Sequence, residues 1–232
     1  MSADRPLVIA ILHADEEDVH YQLYSQAYGI EMQVDDEWNA EAVLLAPYDH
    51  LGAVTEDTDV TGEDAAIVSA GVTDVPLDAD GSPDLSVITD SDKNNWLLVG
   101  DPRLDDSDAT VVAKRDAALA AHCRVVLCLK DTAPEHLAAR LAGVVDCSRL
   151  VVAIVVPDAT AAETTAAAAR TVREQLAAAG ATGQPRIVVA GDVTPENAAE
   201  LVASEGVDGV LLLDDRYDEF DTILEVLEAV GD

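Results

Sequence analysis

Several short apolar runs in this chain are followed within a few residues by an acid or a histidine. Carboxylate and imidazole groups can bind divalent metal ions and can also transfer protons. If the runs are parallel strands of one barrel, these side chains share the end where barrel ligands bind. The candidate ligands of a Mg²⁺ or Mn²⁺ ion are His13, Asp101, Asp192 and Asp214. The candidate residues for binding another ligand are His50, Asp192, Asp214 and Asp215.

The composition offers a second explanation for these acids. The chain has 46 Asp and Glu residues against 13 Lys and Arg, with a formal net charge of −33. Several loop acids are therefore expected as exposed carboxylates with no ligand. The run Asp15-Glu16-Glu17-Asp18 is typical of the first turn of a helix, where the helix dipole favours negative charge. A cationic ligand and solvated acids both remain open.

The charge also restricts the partners and the solvent. At molar salt the Debye length falls to roughly 3 Å, so surface acids repel one another weakly and their hydration keeps the protein in solution. We therefore expect the protein of an extreme halophile. A basic partner is the alternative, but the acids are spread along the chain and form no tail. Nucleic acid is not expected, because the sequence lacks the clustered Lys and Arg that bind phosphates.

Neither the termini nor the cysteines indicate export. The first residues show no basic region followed by an apolar run, and no stretch approaches the ~18 apolar residues of a membrane span. We expect a cytoplasmic protein without membrane contact. Cys123, Cys128 and Cys147 are odd in number and lack paired spacing, which predicts buried thiols and neither a disulfide nor a zinc site.

Apolar Val, Ile and Leu runs alternate with Ala-rich amphipathic stretches, which predicts parallel strands covered by helices. Eight such units in 232 residues favour one closed (β/α)8 barrel, and we expect residues 1–232 to form a single domain. The predicted strands are Leu7 to Leu12, Ala42 to Ala46, Ala65 to Ala70, Trp96 to Val99, Val125 to Leu129, Leu150 to Val155, Arg186 to Ala190 and Gly209 to Leu213. The clearest helices are Ser107 to Ala121, Pro134 to Leu141, Thr160 to Ala179, Pro195 to Ala203 and Asp218 to Ala229.

Local signals support these elements. Thr194-Pro195-Glu196 is a helix start, while Gly180 and Gly206 are helix stops. Leu77 to Pro83 has the composition of a loop. The two tryptophans, Trp38 and Trp96, are expected to pack in the core.

In order and spacing, these segments resemble the triosephosphate isomerase family, which implies a TIM barrel. The segments with a weaker resemblance are Leu7 to Ala10, Ala46 to Leu51, Leu98 to Gly100, Val112 to Lys114 and Val126 to Cys128. The most specific ones are Ala190 to Leu201, Val207 to Gly209 and Asp218 to Phe220.

The resemblance also shows which family residues are missing. The family's Asn-x-Lys motif after strand one falls on Ile11, Leu12 and His13, so its substrate-binding lysine is absent. Its electrophilic histidine after strand four falls on Asp101, and its catalytic glutamate at the end of strand six falls on Val155. No glutamate lies between Arg149 and Ala161 to replace it.

The family's phosphate-binding turns are changed as well. Its Gly-Gly-Ser after strand seven corresponds to Ala190-Gly191-Asp192, and its Gly-Gly after strand eight corresponds to Leu213-Asp214. The family's mobile lid corresponds to the short Pro157 to Thr160, which is not expected to close over a ligand. The family's dimer-forming loop corresponds to Gly71 to Pro83, which departs from the family pattern. Either a monomer or a homodimer therefore fits.

Three functions follow, in decreasing order of support. The first is a halophilic, non-catalytic relative of triosephosphate isomerase, a pseudoenzyme that needs no cofactor and binds a protein or a small molecule. The second is a barrel enzyme with altered chemistry that uses the acidic mouth and His13, with Mg²⁺ or Mn²⁺ as a possible cofactor. The third is a functional isomerase.

Overall fold

Eight parallel strands close into a barrel in a computed structural model of the chain. The structure describes residues 5–13, 19–33, 39–51, 68–73, 75–86, 95–130, 133–156, 162–213 and 220–231, and the statements below concern these residues. Each strand pairs with the next, and the last pairs with the first. The strands are β1 Leu7–Ile11, β2 Glu41–Pro47, β3 Val68–Thr73, β4 Trp96–Val99, β5 Arg124–Leu129, β6 Leu150–Val156, β7 Arg186–Gly191 and β8 Gly209–Leu212. The predicted (β/α)8 architecture is confirmed.

Helices follow six of the strands in the described part of the chain, and a short 3-10 turn, Tyr48–His50, follows β2. They are α1 Val19–Gln33, α2 Asp108–Ala120, α3 Pro134–Leu141, α4 Ala162–Ala178, α5 Pro195–Val202 and α6 Phe220–Gly231. None of the described helices is long and apolar enough to cross a membrane.

Two apolar layers hold the barrel together. Strand residues alternate between the two faces, and among the described side chains every strand except β3 contributes to both layers. The outer layer joins strands to helices and includes Leu137 of α3, Val172 of α4 and Leu201 of α5. The inner layer contains strand-side residues from around the barrel and no helix residue. We call it the interior cluster: Leu7, Ile9, Ile11, Val43, Leu45, Trp96, Leu98, Val126, Cys128, Val151, Ala153, Val188, Ala190, Leu211 and Leu213, with Val155 packed against it.

The third strand lies further along the chain than predicted. It was expected at Ala65 to Ala70, of which 65–67 lie outside the described residues, and it runs instead to Thr73. Gly71 lies beside Trp96 in the ladder, and a Cβ atom at Gly71 would overlap the backbone oxygen of Trp96. The glycine marks a close approach within the strand and not its end. The last three residues of β3, Gly71–Thr73, therefore do not belong to the loop that the resemblance assigned to dimer formation.

Helix α1 was not among the clearest predicted helices. It buries Leu23, Ala27 and Ile30, whose spacing places them on one face. Tyr21 and Tyr28 are exposed on the same helix and obscure this pattern in the sequence. The acidic run predicted as its first turn, residues 15–18, lies outside the described residues.

Most of the local signals are confirmed. The Thr194 backbone N–H donates to the Asn197 side-chain oxygen at 2.8 Å as α5 begins, and Gly180 and Gly206 have positive φ angles after helices. Leu77 and Pro83 form an isolated bridge that closes the predicted loop. Trp96 is buried, and Cys123, Cys128 and Cys147 are buried free thiols. Trp38 lies outside the described residues.

Candidate functional site

An apolar floor lies at the carboxyl end of the barrel. In every strand except β3, the last residue that belongs to the interior cluster or packs against it is apolar or a cysteine; these residues are Ile11, Leu45, Leu98, Cys128, Val155, Ala190 and, directly after β8, Leu213. These side chains supply neither a charge nor a proton acceptor near neutral pH. Any acid–base chemistry at this end must therefore come from residues that follow the strands.

Val155 lies where the resemblance puts the catalytic base. It is paired in the ladder with Ala190 of β7, it is half-buried, and its side chain packs against the interior cluster. The position therefore faces the inside of the barrel, as a base acting on a ligand at the mouth must. The next glutamate along the chain, Glu163, is exposed in the first turn of α4.

Asp101 lies where the resemblance puts the electrophilic histidine. Its carboxylate accepts hydrogen bonds from a residue of the same loop. The carboxylate is 4% exposed. The Arg103 Nε atom donates to both carboxylate oxygens at 3.0 and 3.1 Å, and Arg103 Nη2 donates to Oδ2 at 2.6 Å. The Arg103 backbone N–H adds a bond of 2.9 Å to Oδ1. Such a bidentate, charge-assisted pair is strong and fixes the orientation of both groups.

Further bonds hold this loop in place. The Leu104 backbone N–H donates to the Asp101 backbone oxygen at 3.1 Å, and Lys130 Nζ donates to the Leu104 oxygen at 3.2 Å. Gly100 has φ +76°, and a Cβ atom there would lie 3.0 Å from the Arg140 Nη1 atom. Asp101 therefore organises the turn after β4. Sequence reasoning missed Arg103, although the Asp-x-Arg spacing is the signal of such a turn.

Cys128 is a cysteine of the interior cluster, and the Asp101 carboxylate affects its thiol. Burial raises the pKa of the Cys128 thiol well above its usual range, and the Asp101 carboxylate raises it further, while Arg140 and Arg103 oppose the shift. The thiol therefore stays protonated at neutral pH. Because the thiolate is the nucleophilic form, Cys128 is a packing residue.

The other described candidate residues follow strands other than β4. His13 follows β1 and is half-buried, with its backbone oxygen accepting from Gln26 Nε2 at 2.8 Å. His50 ends the 3-10 turn after β2 and is half-buried. Asp192 is exposed, and its backbone oxygen accepts from Asn197 Nδ2 at 2.7 Å.

The described part of the chain contains no group of three or more His, Cys, Asp or Glu residues placed to hold a metal ion. His13, Asp101 and Asp192 therefore do not form such a site by themselves. Asp214 and Asp215 lie outside the described residues, so the set that includes Asp214 stays a prediction. A metal ion at Asp101 would have to displace the Arg103 guanidinium, which occupies both carboxylate oxygens.

A family model described as triosephosphate isomerase matches residues 102–214. The match covers β5 to β8 with the helices between them, including Val155 and the segment from Ala190 to Leu201. No curated protein matches the chain.

Proposed function

From the triosephosphate isomerase-like fold of this chain, we propose that it is a non-catalytic barrel protein with a binding or regulatory role. The observation that carries this proposal is that Val155, which the resemblance matches with the family's catalytic base, packs against the barrel interior. Isomerisation of a triose phosphate moves a proton between two carbon atoms, and a positioned acceptor must hold that proton. A valine side chain has no atom that accepts it.

The second support is the state of Asp101. The electrophile in this reaction must stabilise negative charge that develops on a carbonyl oxygen. The Asp101 carboxylate oxygens accept hydrogen bonds from Arg103, and a carboxylate charge at this position opposes an enediolate. The guanidinium offsets that charge, but it is itself oriented toward the carboxylate.

The third support is the loss of the groups that bind the substrate phosphate. The cationic lysine position is His13, and the phosphate-binding turn after β7 contains Asp192. A carboxylate about 4 Å from a phosphate charge costs on the order of 4 kcal/mol per charge pair at an effective dielectric near 20. Salt screening reduces this cost for an exposed residue such as Asp192 without reversing its sign.

The direct test is a coupled assay of glyceraldehyde 3-phosphate isomerisation in molar KCl. We expect the rate with the protein to equal the rate in buffer. The matched variant is Val155→Ala, which keeps an apolar residue at the same position and should give the same background rate. Turnover well above buffer that Asp101→Asn abolishes would overturn the proposal.

We also propose that the protein is adapted to high salt and that its acidic surface serves this adaptation. Support comes from the net charge of −33 and from the spread of the acids along the chain. At low ionic strength the acids repel one another over about 10 Å and more, whereas molar salt confines the repulsion to about 3 Å. The free energy of unfolding should therefore rise with KCl in urea titrations, and a fall would contradict the adaptation.

A further inference from the structure

An exposed strip with two aromatic side chains runs along helix α1. Tyr21 is 69% exposed and Tyr28 is 48% exposed, and Ser25, which is also exposed, lies between them. The spacing i, i+4, i+7 places the three side chains on one side of the helix, opposite to the side that packs on the barrel. We call these three residues the tyrosine face. Among the described residues, the other exposed large apolar side chains are Leu77 and Val145, which lie singly in loops.

The helix that carries the tyrosine face is almost free of charge. Residues 19–30 contain no Asp, Glu, Lys or Arg, in a chain of 232 residues with 46 acids. The neighbouring helix α6 contacts α1 and exposes three acids, Asp221, Glu225 and Glu228. Enrichment in tyrosine and depletion of charged residues are typical of the centre of a protein–protein interface. The tyrosine face is therefore a neutral strip beside an acidic surface, with the composition of an interface.

The charge of the strip and of its surroundings restricts what can cover it. A basic partner gains little here, because residues 19–30 carry no acid that would attract it. An acidic partner is repelled by most of this molecule, since like charges that face each other across an interface are unfavourable. A second copy of this chain is acidic, but it presents a neutral strip of its own. In a two-fold contact the same patch meets itself, so the two neutral strips meet and the acids stay at the rim.

We propose that two copies of this chain associate through α1, with the helices antiparallel and the two-fold axis at Ser25. Ser25 lies midway between the two tyrosines along the helix and has a small side chain, so the helices approach closely there. Tyr21 of one copy then contacts Tyr28 of the other. The Tyr28 ring already stacks on Tyr24 of its own helix, with the ring centroids 6.0 Å apart and 17° between the planes. A ring supported in this way loses less rotamer freedom when the dimer forms.

The size of the contact sets its strength. The 15 residues of α1 span about 22 Å, and two such helices bury less surface than the roughly 1,200 Å² of a stable interface. The dimer is therefore weak and reversible. Molar KCl strengthens it, because salt screens the repulsion between the acids around the strip. This association does not depend on the proposed loss of catalysis, and it uses a surface other than the loop that the resemblance assigned to dimer formation.

The test is sedimentation equilibrium in molar KCl, with the protein from micromolar to millimolar concentration. We expect reversible dimerisation that weakens as KCl is lowered. The association constant of Tyr21→Ser should fall at least about tenfold, because each dimer contains two contacts between Tyr21 and Tyr28. The matched control is Val145→Ser, which removes an exposed apolar side chain from the loop before β6. Its association constant should equal that of the wild type.

Disulfide cross-linking locates the two-fold axis. The three native cysteines are buried, so Ser25→Cys supplies an exposed thiol. When the axis brings two such thiols together, they lose two electrons and two protons to an added oxidant such as diamide and form one interchain disulfide. We expect a cross-linked dimer of Ser25→Cys in molar KCl. The control Ala167→Cys, at an exposed position on α4, should remain largely uncross-linked under the same conditions.

Three results would overturn the proposal. The first is a protein that stays monomeric at millimolar concentration in molar KCl. The second is a dimer that Leu77→Ser dissociates and Tyr21→Ser leaves intact, which would place the interface on the loop of residues 75–86. The third is equal cross-linking of Ser25→Cys and Ala167→Cys, which would show random collision and no axis at Ser25.

Discussion

The two ends of this barrel use their charged residues differently. At the carboxyl end, Asp101 is neutralised by Arg103, two residues further along the same loop. At the amino end, Arg186 is neutralised by Glu41, which comes from a strand across the barrel, and Arg124 and Arg149 lie beside that pair. At the carboxyl end, both partners of the ion pair belong to one turn. The pair at the amino end depends on the closed barrel, because its two partners lie on β7 and β2.

This difference shows that the place of a site in a fold does not determine the chemistry of that site. Ligands of (β/α)8 barrels bind at the carboxyl end of the strands, and function must still be argued from the side chains there. Here that end has an apolar floor and an acid engaged by its own arginine. The buried ion pair of Glu41 and Arg186 lies at the amino end, where barrel residues ordinarily serve stability.

The largest effect on stability is expected at the amino end. The substitution Glu41→Gln removes a buried carboxylate and leaves Arg186 without its ionic partner. Breaking one side of a buried pair costs about 3 kcal/mol of unfolding free energy. Urea titrations at constant KCl measure this loss, and Glu205→Gln, which changes an exposed acid, should cost less than about 0.5 kcal/mol. Equal losses in the two variants would mean that the buried pair contributes little.

A smaller loss is expected at the carboxyl end. Asp101→Ala removes the acceptor of four bonds from Arg103, but the freed guanidinium is partly exposed and water can solvate it. We expect a loss of about 1 to 2 kcal/mol in the same titrations. An Arg103→Ala variant and the double variant complete a mutant cycle. A coupling energy near zero would contradict the assignment of Asp101 to the organisation of this loop.

The smallest effect is expected from divalent metal ions. Because Arg103 occupies both oxygens of Asp101, we expect Mn²⁺ or Mg²⁺ in molar KCl to give no saturable increase in melting temperature. A saturable increase that both Asp101→Ala and Asp214→Ala abolish would instead support a metal-dependent enzyme at the acidic mouth.

The strands could be predicted because parallel strands buried on both faces appear as continuous apolar runs. Strand β4, Trp96–Val99, begins and ends where the sequence predicts, and so does helix α3, Pro134–Leu141. Helix α1 is less visible, since exposed tyrosines interrupt its apolar face. The third strand was predicted to end at Ala70, whereas β3 continues to Thr73 and Gly71 allows β3 and β4 to approach closely.

The two ends also differ in how far sequence reasoning reaches. The placement of Val155 follows from the resemblance, and the structure places its side chain against the barrel interior. Three arginines at the amino end of the barrel, at positions 124, 149 and 186, are distant in sequence. The closure of the barrel brings them together around one pocket. No local pattern marks them, because each one is the first residue of a strand or lies just before one.

The contrast between the two ends is tested most directly by two double-mutant cycles of unfolding free energy in urea at constant KCl. One cycle combines Glu41→Gln with Arg186→Gln at the amino end, and the other combines Asp101→Ala with Arg103→Ala at the carboxyl end. We expect the larger coupling energy for Glu41 and Arg186, because that pair is more deeply buried. An equal or larger coupling energy at the carboxyl end would contradict this account.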